Sequence, residues 1–139
     1  MKKILLALLA LALLTSCTTR SRNFEDGDRI DIHVGEIVTV ELPENPTTGY
    51  SWDYSFSEDS TVIVVEDKFV QSESKGMVGV GGVHRYSIKG VDDGDTLITF
   101  RYHRPWEKDV EPVETRTLTL HVTHKRLNIS IGLQASHSF

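Results

Sequence analysis

From Arg29 onward the apolar residues fall on every second position. Ile30, Ile32 and Val34 alternate with Arg29, Asp31 and His33, and beyond Gly35 the residues Val38, Val40 and Leu42 alternate with Thr39 and Glu41. A period of two marks strands with one buried face, and the 3.6-residue period of a helix fits neither stretch. The same alternation returns in Trp52, Tyr54 and Phe56, in Tyr86 and Ile88, in Ile98, Phe100 and Tyr102, and in Leu118, Leu120 and Val122. Two shorter runs, Thr61 to Val65 and Asp67 to Val70, lie between them, and no stretch after residue 20 offers a convincing amphipathic helix. Turn signals at Gly35, Pro43, Gly49, Gly76, Gly90, Asp93-Gly94 and Pro112 divide the chain into seven or eight strands. The pattern predicts an all-β protein, an immunoglobulin-like antiparallel β-sandwich over residues 29–124, close to the roughly 100 residues such a sandwich needs. The tail, 125–139, alternates weakly at Leu127, Ile129, Ile131 and Leu133 and then turns polar, so it is expected either to add an edge strand or to fray.

The first residues follow a different rule. Lys2 and Lys3 precede an unbroken apolar run from Ile4 to Leu14, then Thr15, Ser16 and Cys17. A membrane-spanning helix needs about 20 apolar residues, so this run predicts a cleaved secretory signal over residues 1–16. Leu14-Thr15-Ser16-Cys17 resembles the bacterial lipobox, which implies lipid on Cys17 and an anchor in the cell envelope. Thr18 follows the cysteine rather than the aspartate that holds enteric lipoproteins in the inner membrane, which favours an outer-membrane destination in a Gram-negative cell. Residues 17–28 are polar and read as a tether.

Composition narrows the classes further. The 139 residues fit one small domain, and a single cysteine permits neither an internal disulfide nor a thiol-based zinc site. The formal charge of −5 becomes −7 once Lys2 and Lys3 leave with the signal, which argues against nucleic acid as a partner. The six histidines, His33, His84, His103, His121, His124 and His137, contain one short pair. His121 and His124, three apart on a strand, point to opposite faces, so solvated or rim histidines are expected rather than a metal site.

A rigid sandwich presents its function in its loops, and three loops are unusual. In Asn45-Pro46-Thr47-Thr48-Gly49-Tyr50, proline fixes one dihedral, biases Asn45 to an extended form, and Gly49 can take the positive φ of a tight reversal. Gly76-Met77-Val78-Gly79-Val80-Gly81-Gly82 is glycine-rich but runs into a strand, not into the helix N-terminus a phosphate loop requires. Arg104-Pro105-Trp106-Glu107 holds a tryptophan in a charged loop, and Trp and Arg are enriched at interface hot spots. In an immunoglobulin-like strand order these three connections share one end of the sandwich.

NPTTGY at 45–50, GVGG at 79–82 and RPWE at 104–107, in this order on a small all-β domain, resemble the chagasin family of cysteine peptidase inhibitors. The resemblance spans Gly27 to Thr123. It implies a reversible, competitive inhibitor of papain-like (cathepsin-type) cysteine peptidases that occludes the active-site cleft with three loops and is itself no enzyme. Asn45, Pro46, Thr47, Thr48, Gly49 and Tyr50 would form the centre, with Thr47 and Thr48 nearest the catalytic cysteine and histidine. Gly79, Val80, Gly81 and Gly82 would lie along the non-primed side, and Arg104, Pro105, Trp106 and Glu107 along the primed side. No cofactor or metal is implied, and a monomer is expected. The competing reading is an envelope-anchored adhesion or carbohydrate-binding sandwich with Trp106 and Tyr102 as a stacking platform for sugar.

Overall fold

The alternating stretches fold as strands because each has one apolar face to bury, and two such faces close on each other. The computed structural model describes residues 20–73 and 80–126. Among these are β1 (Arg20–Arg22), β2 (Asp28–His33), β3 (Ile37–Glu44), β4 (Ser51–Phe56), β5 (Val62–Gln71), β6 (Gly82–Gly90), β7 (Gly94–His103) and β8 (Glu114–Thr123), with a 3-10 turn at Pro46–Thr48. One sheet has the order β1-β3-β6-β5 and the other β2-β8-β7-β4. The inward positions are those the alternation marks: Val40, Leu42, Ile88, Ile98, Phe100, Leu118, Leu120 and Val122 are all fully buried. Tyr86 sits at the centre, its ring 5.3 Å from that of Phe100 and its hydroxyl donating to the Trp52 carbonyl at 3.2 Å. Burial pushes the Tyr86 phenol far above its usual range, so it stays a neutral donor.

The structure departs from the sequence reading in four places. The two runs at Thr61 to Val65 and Asp67 to Val70 fall on one strand, β5, which starts at Val62 and whose register shifts between Val64 and Glu66. A bulge there breaks the alternation without ending the pairing. Pro43 and Gly90, read as turn signals, lie inside β3 and β6. Beside Pro43 the strand β3 is paired on one side only, since β1 reaches no further than Arg22 opposite Val40, and a strand edge tolerates proline. At Gly90 a Cβ would meet Val122 Cγ1 at 2.8 Å, so the glycine serves close packing between the sheets. Finally, although most pairs are antiparallel, β1–β3 and β2–β8 are parallel.

The fourth departure concerns the segment expected as a tether through Asp28. Arg20 to Arg22 pair with Val38 to Val40, Phe24 is buried with its ring 5.6 Å from Phe100, and the backbone N–H of Gly27 donates to the Thr117 carbonyl at 2.9 Å. The Asp26 carboxylate accepts from Thr117 N at 2.6 Å and from its Oγ1 at 2.8 Å, which holds its pKa below the usual carboxylate range. Strand pairing, one buried aromatic ring and the bonds to Thr117 together join this polar segment to the body. Residues 127–139, expected to add a strand or fray, lie outside the described residues, as does the lipobox.

The registers define two poles. At one, Glu44 pairs with Gly82, Gln71 with Gly82 and Ser51 with His103, so the β3–β4, β5–β6 and β7–β8 connections gather there. At the other, His33 pairs with Thr123, Gly94 with Val122 and Ile37 with Lys89. At that far pole the backbone bond from Val34 to Thr123 extends the β2–β8 pairing, and the bond from Gly35 to Gly90 ties the β2–β3 turn to the other sheet, each 2.9 Å.

Candidate functional site

The first loop is built by its own residues. Asn45 caps the 3-10 turn: its Oδ1 accepts from Thr47 N at 3.2 Å and from Thr47 Oγ1 at 2.7 Å, while its carbonyl accepts from Thr48 Oγ1 at 2.7 Å. Pro46 occupies the first position of the turn, and Gly49 closes it at φ 80°, a left-handed conformation that favours glycine. Both threonine hydroxyls are thus engaged within the loop, and the exposed tip offers methyl groups and backbone. The sequence shows that the threonines are at the tip, whereas their internal bonding appears only with the turn in place.

The third loop packs directly on the first. Trp106 is 66% exposed, yet its indole lies so close to Gly49 that a Cβ on that glycine would stand 2.3 Å from Cη2. The Arg104 guanidinium lies 4.5 Å above the Tyr50 ring and donates to Glu107 Oε1 at 3.1 Å. Tyr50, Arg104 and Glu107 are half-buried and brace one loop against the other. Pro105 is exposed beside Trp106.

The second loop meets the first on its opposite flank. A Cβ at Gly81 would approach the Glu44 carbonyl at 3.1 Å and Asn45 Cβ at 3.6 Å, and at Gly82 it would strike the Val70 carbonyl at 2.1 Å. Val80 and Gly81 line a shallow open groove with Asn45 and Ser72. Gly79, expected in the same loop, lies outside the described residues.

Beneath the ridge is a polar layer that the sequence reading did not single out. His84 lies with Nδ1 2.5 Å from Glu44 Oε2, Nε2 2.6 Å from Asp67 Oδ1, and its ring stacked on Tyr86 at 4.5 Å. Glu44 and His84 occupy the inward phase of their strands, following Leu42 and preceding Tyr86. A charged residue in that phase was the available signal. The other described histidines also have partners: His103 with Asp53, His121 with Asp95, His124 with Asp93 and His33 with Thr123. His33 and His124 are exposed and His103 and His121 half-buried, so these are rim histidines, each held by a hydrogen bond.

Tyr102 does not join Trp106 in a flat platform. Its ring is sandwiched by Trp52 at 4.9 Å and Tyr50 at 5.4 Å, and its hydroxyl accepts from Asn45 N at 3.3 Å. With Tyr102 committed to packing, the sugar-stacking arrangement is not formed.

Fold and site together define a β-sandwich that gathers three loop connections at one pole. A model of the chagasin family of peptidase inhibitors (I42) matches residues 31–122, and the chain belongs to that family. It is an inhibitor of peptidases, not an enzyme. Similar proteins include chagasin from Trypanosoma cruzi, 32% identical over 85 residues, covering 58% of this chain and 76% of that protein. Amoebiasin-1 from Entamoeba histolytica is 37% identical over 95 residues, covering 67% and 86%. Among solved structures, the cysteine protease inhibitor EhICP2 from Entamoeba histolytica superposes with a TM-score of 0.66 at 28% identity, covering 75% of this chain and 95% of that one. A model of the prokaryotic membrane lipoprotein lipid attachment site matches residues 1–18, which marks a membrane-anchored envelope protein.

Proposed function

We propose that the chain inhibits papain-like cysteine peptidases by filling the active-site cleft with this edge, reversibly, competitively and without a covalent step. The observation that carries the reading is the contact of Trp106 with Gly49 and of Gly81 with Asn45, which makes one continuous ridge of three loops. In this reading Thr47 and Thr48 meet the catalytic cysteine and histidine. Gly79 to Gly82 lie along the non-primed side, where the lack of side chains lets backbone approach backbone. Arg104 to Glu107 lie along the primed side, with Trp106 as the aromatic contact and Arg104 and Glu107 as its braces. The loop is ordered by its own cap, so little conformational entropy is lost on docking, and a modest contact area can give tight binding.

The soluble domain starting at Thr18, titrated against papain and a cathepsin, is expected to inhibit both competitively at submicromolar concentration. Absence of inhibition at micromolar concentration across several such enzymes would sink the reading. Trp106→Ala is expected to lose about 2 kcal/mol of binding, roughly thirtyfold in Ki, with little change in Tm because the indole is mostly outside the core. Equal Ki values for the two proteins would remove Trp106 from the interface.

Cys17 is the residue proposed to carry the lipid, and the outer membrane is the proposed destination in a Gram-negative cell, supported by Thr18 in the following position. The domain acts as a monomer.

A further inference from the structure

The path of the chain from Cys17 into the sandwich decides which way the inhibitory edge points. Strand β3 runs from Ile37 at the far pole to Glu44, next to the Asn45 loop. Strand β1 is parallel to it, with Arg20 opposite Val38 and Arg22 opposite Val40. The chain therefore enters the fold from the far pole, heading toward the loops. It crosses to the second sheet at Phe24 and Gly27 and returns along β2, which ends at His33 opposite Thr123.

We infer that the far pole is the membrane-facing surface of the lipidated protein, and that the three-loop edge stands off from the bilayer at the opposite end. The inference rests on the reading of Cys17 as the lipid-bearing residue. Three residue steps separate Cys17 from Arg20, a reach of at most about 11 Å even when fully extended. Strand β3 alone spans roughly 25 Å at about 3.3 Å per residue. The tether is too short to let the sandwich turn its loop pole to the lipid while β1 is paired, and the burial of Phe24 together with the bonds from Thr117 to Asp26 fixes the segment that follows β1.

The chemistry of the far pole suits a headgroup layer. Glu36, Glu58, Asp59, Asp92 and Asp93 are exposed there with His124, Lys125 and Arg126, and Asp93 is paired to His124. Val91, 43% exposed, is the large apolar residue open to solvent in the β6–β7 turn. A strongly charged pole with little exposed apolar surface rests against headgroups without inserting into acyl chains. The target that fits is a peptidase dissolved in the aqueous compartment, because its cleft meets the edge without the inhibitor leaving the membrane. A cleft opening close against the bilayer is out of reach.

The lipidated full-length product, reconstituted in phosphatidylethanolamine–phosphatidylglycerol vesicles, tests this. Once Cys17 carries lipid, Asp92→Cys and Lys108→Cys each provide one free thiol for a fluorophore, at the far pole and in the β7–β8 loop respectively. A phosphatidylcholine bearing a nitroxide on its headgroup quenches only on close approach. Loss of most emission from the Asp92→Cys label, with emission from the Lys108→Cys label unchanged, is the expected result. Equal quenching of both labels, or stronger quenching at Lys108→Cys, would overturn the orientation. Vesicle flotation reads the anchor separately: a protein that does not float lacks the lipid, and the orientation falls with it. Failure of the soluble domain to inhibit papain would overturn the inhibitor reading while leaving the quenching pattern in place.

Discussion

Thr48→Arg is expected to abolish inhibition of papain-like peptidases, with a loss of at least about 3 kcal/mol, a hundredfold or more in Ki. Thr48 is exposed at the tip of the capped turn, where a long charged side chain would have to be buried unpaired against the enzyme, and an unpaired buried charge costs on the order of 3–5 kcal/mol. The fold should survive. What the sandwich loses is the hydrogen bond from Thr48 Oγ1 to the Asn45 carbonyl at 2.7 Å, worth about 1 kcal/mol or a fall in Tm of roughly 4–8 °C, and the long, weak one that Oγ1 accepts from Tyr50 N at 3.5 Å. Thr48→Ser keeps that bond and should inhibit within a few-fold of the parent. Thermal melts alongside enzyme titrations check both halves. Complete unfolding of Thr48→Arg would show that the loop is part of the folding core and not a presented tip.

Gly49→Ala is expected to destabilise the fold by about 1–2 kcal/mol and to weaken inhibition by about 2 kcal/mol, two separable effects. At φ 80° an alanine costs about 1–2 kcal/mol in backbone strain, and a hot-spot aromatic displaced from its seat costs about 2 kcal/mol in binding. The second effect arises because the new methyl would stand 2.3 Å from Trp106 Cη2 and push the indole off the first loop. A double-mutant cycle distinguishes the two. In a Trp106→Ala background there is no indole to displace, so Gly49→Ala should cost only the strain part, read in Tm, and in Ki the two substitutions should be clearly less than additive. Strict additivity would mean that the first and third loops act as independent contacts and that their packing in the free protein carries nothing into binding.

Much of the architecture was legible in the sequence because a half-buried strand writes its burial directly as a period of two. Val38, Val40, Leu42, Ile98, Phe100, Leu118 and Leu120 are both the alternating set and the core. The signal failed where pairing and patterning part company. Val65 sits at a bulge, so one strand reads as two; Pro43 and Gly90 are turn residues by type but strand residues by context; and Phe24 is a lone aromatic in a polar segment with no period to give it away.

By itself, then, the sequence determined the sandwich, the order of the three loops along the chain, the stiffness of NPTTG and the attachment signal, because each depends on local conformational preference or on a short contiguous pattern. Only the tertiary structure decided that Trp106 is seated on Gly49, that Arg104 and Glu107 brace Tyr50, that His84 lies between Glu44 and Asp67, and that the chain enters at the pole away from the loops. Those relations join residues up to dozens of positions apart, through strand register and the closing of two sheets. A one-residue change of register would alter them while leaving the local pattern untouched.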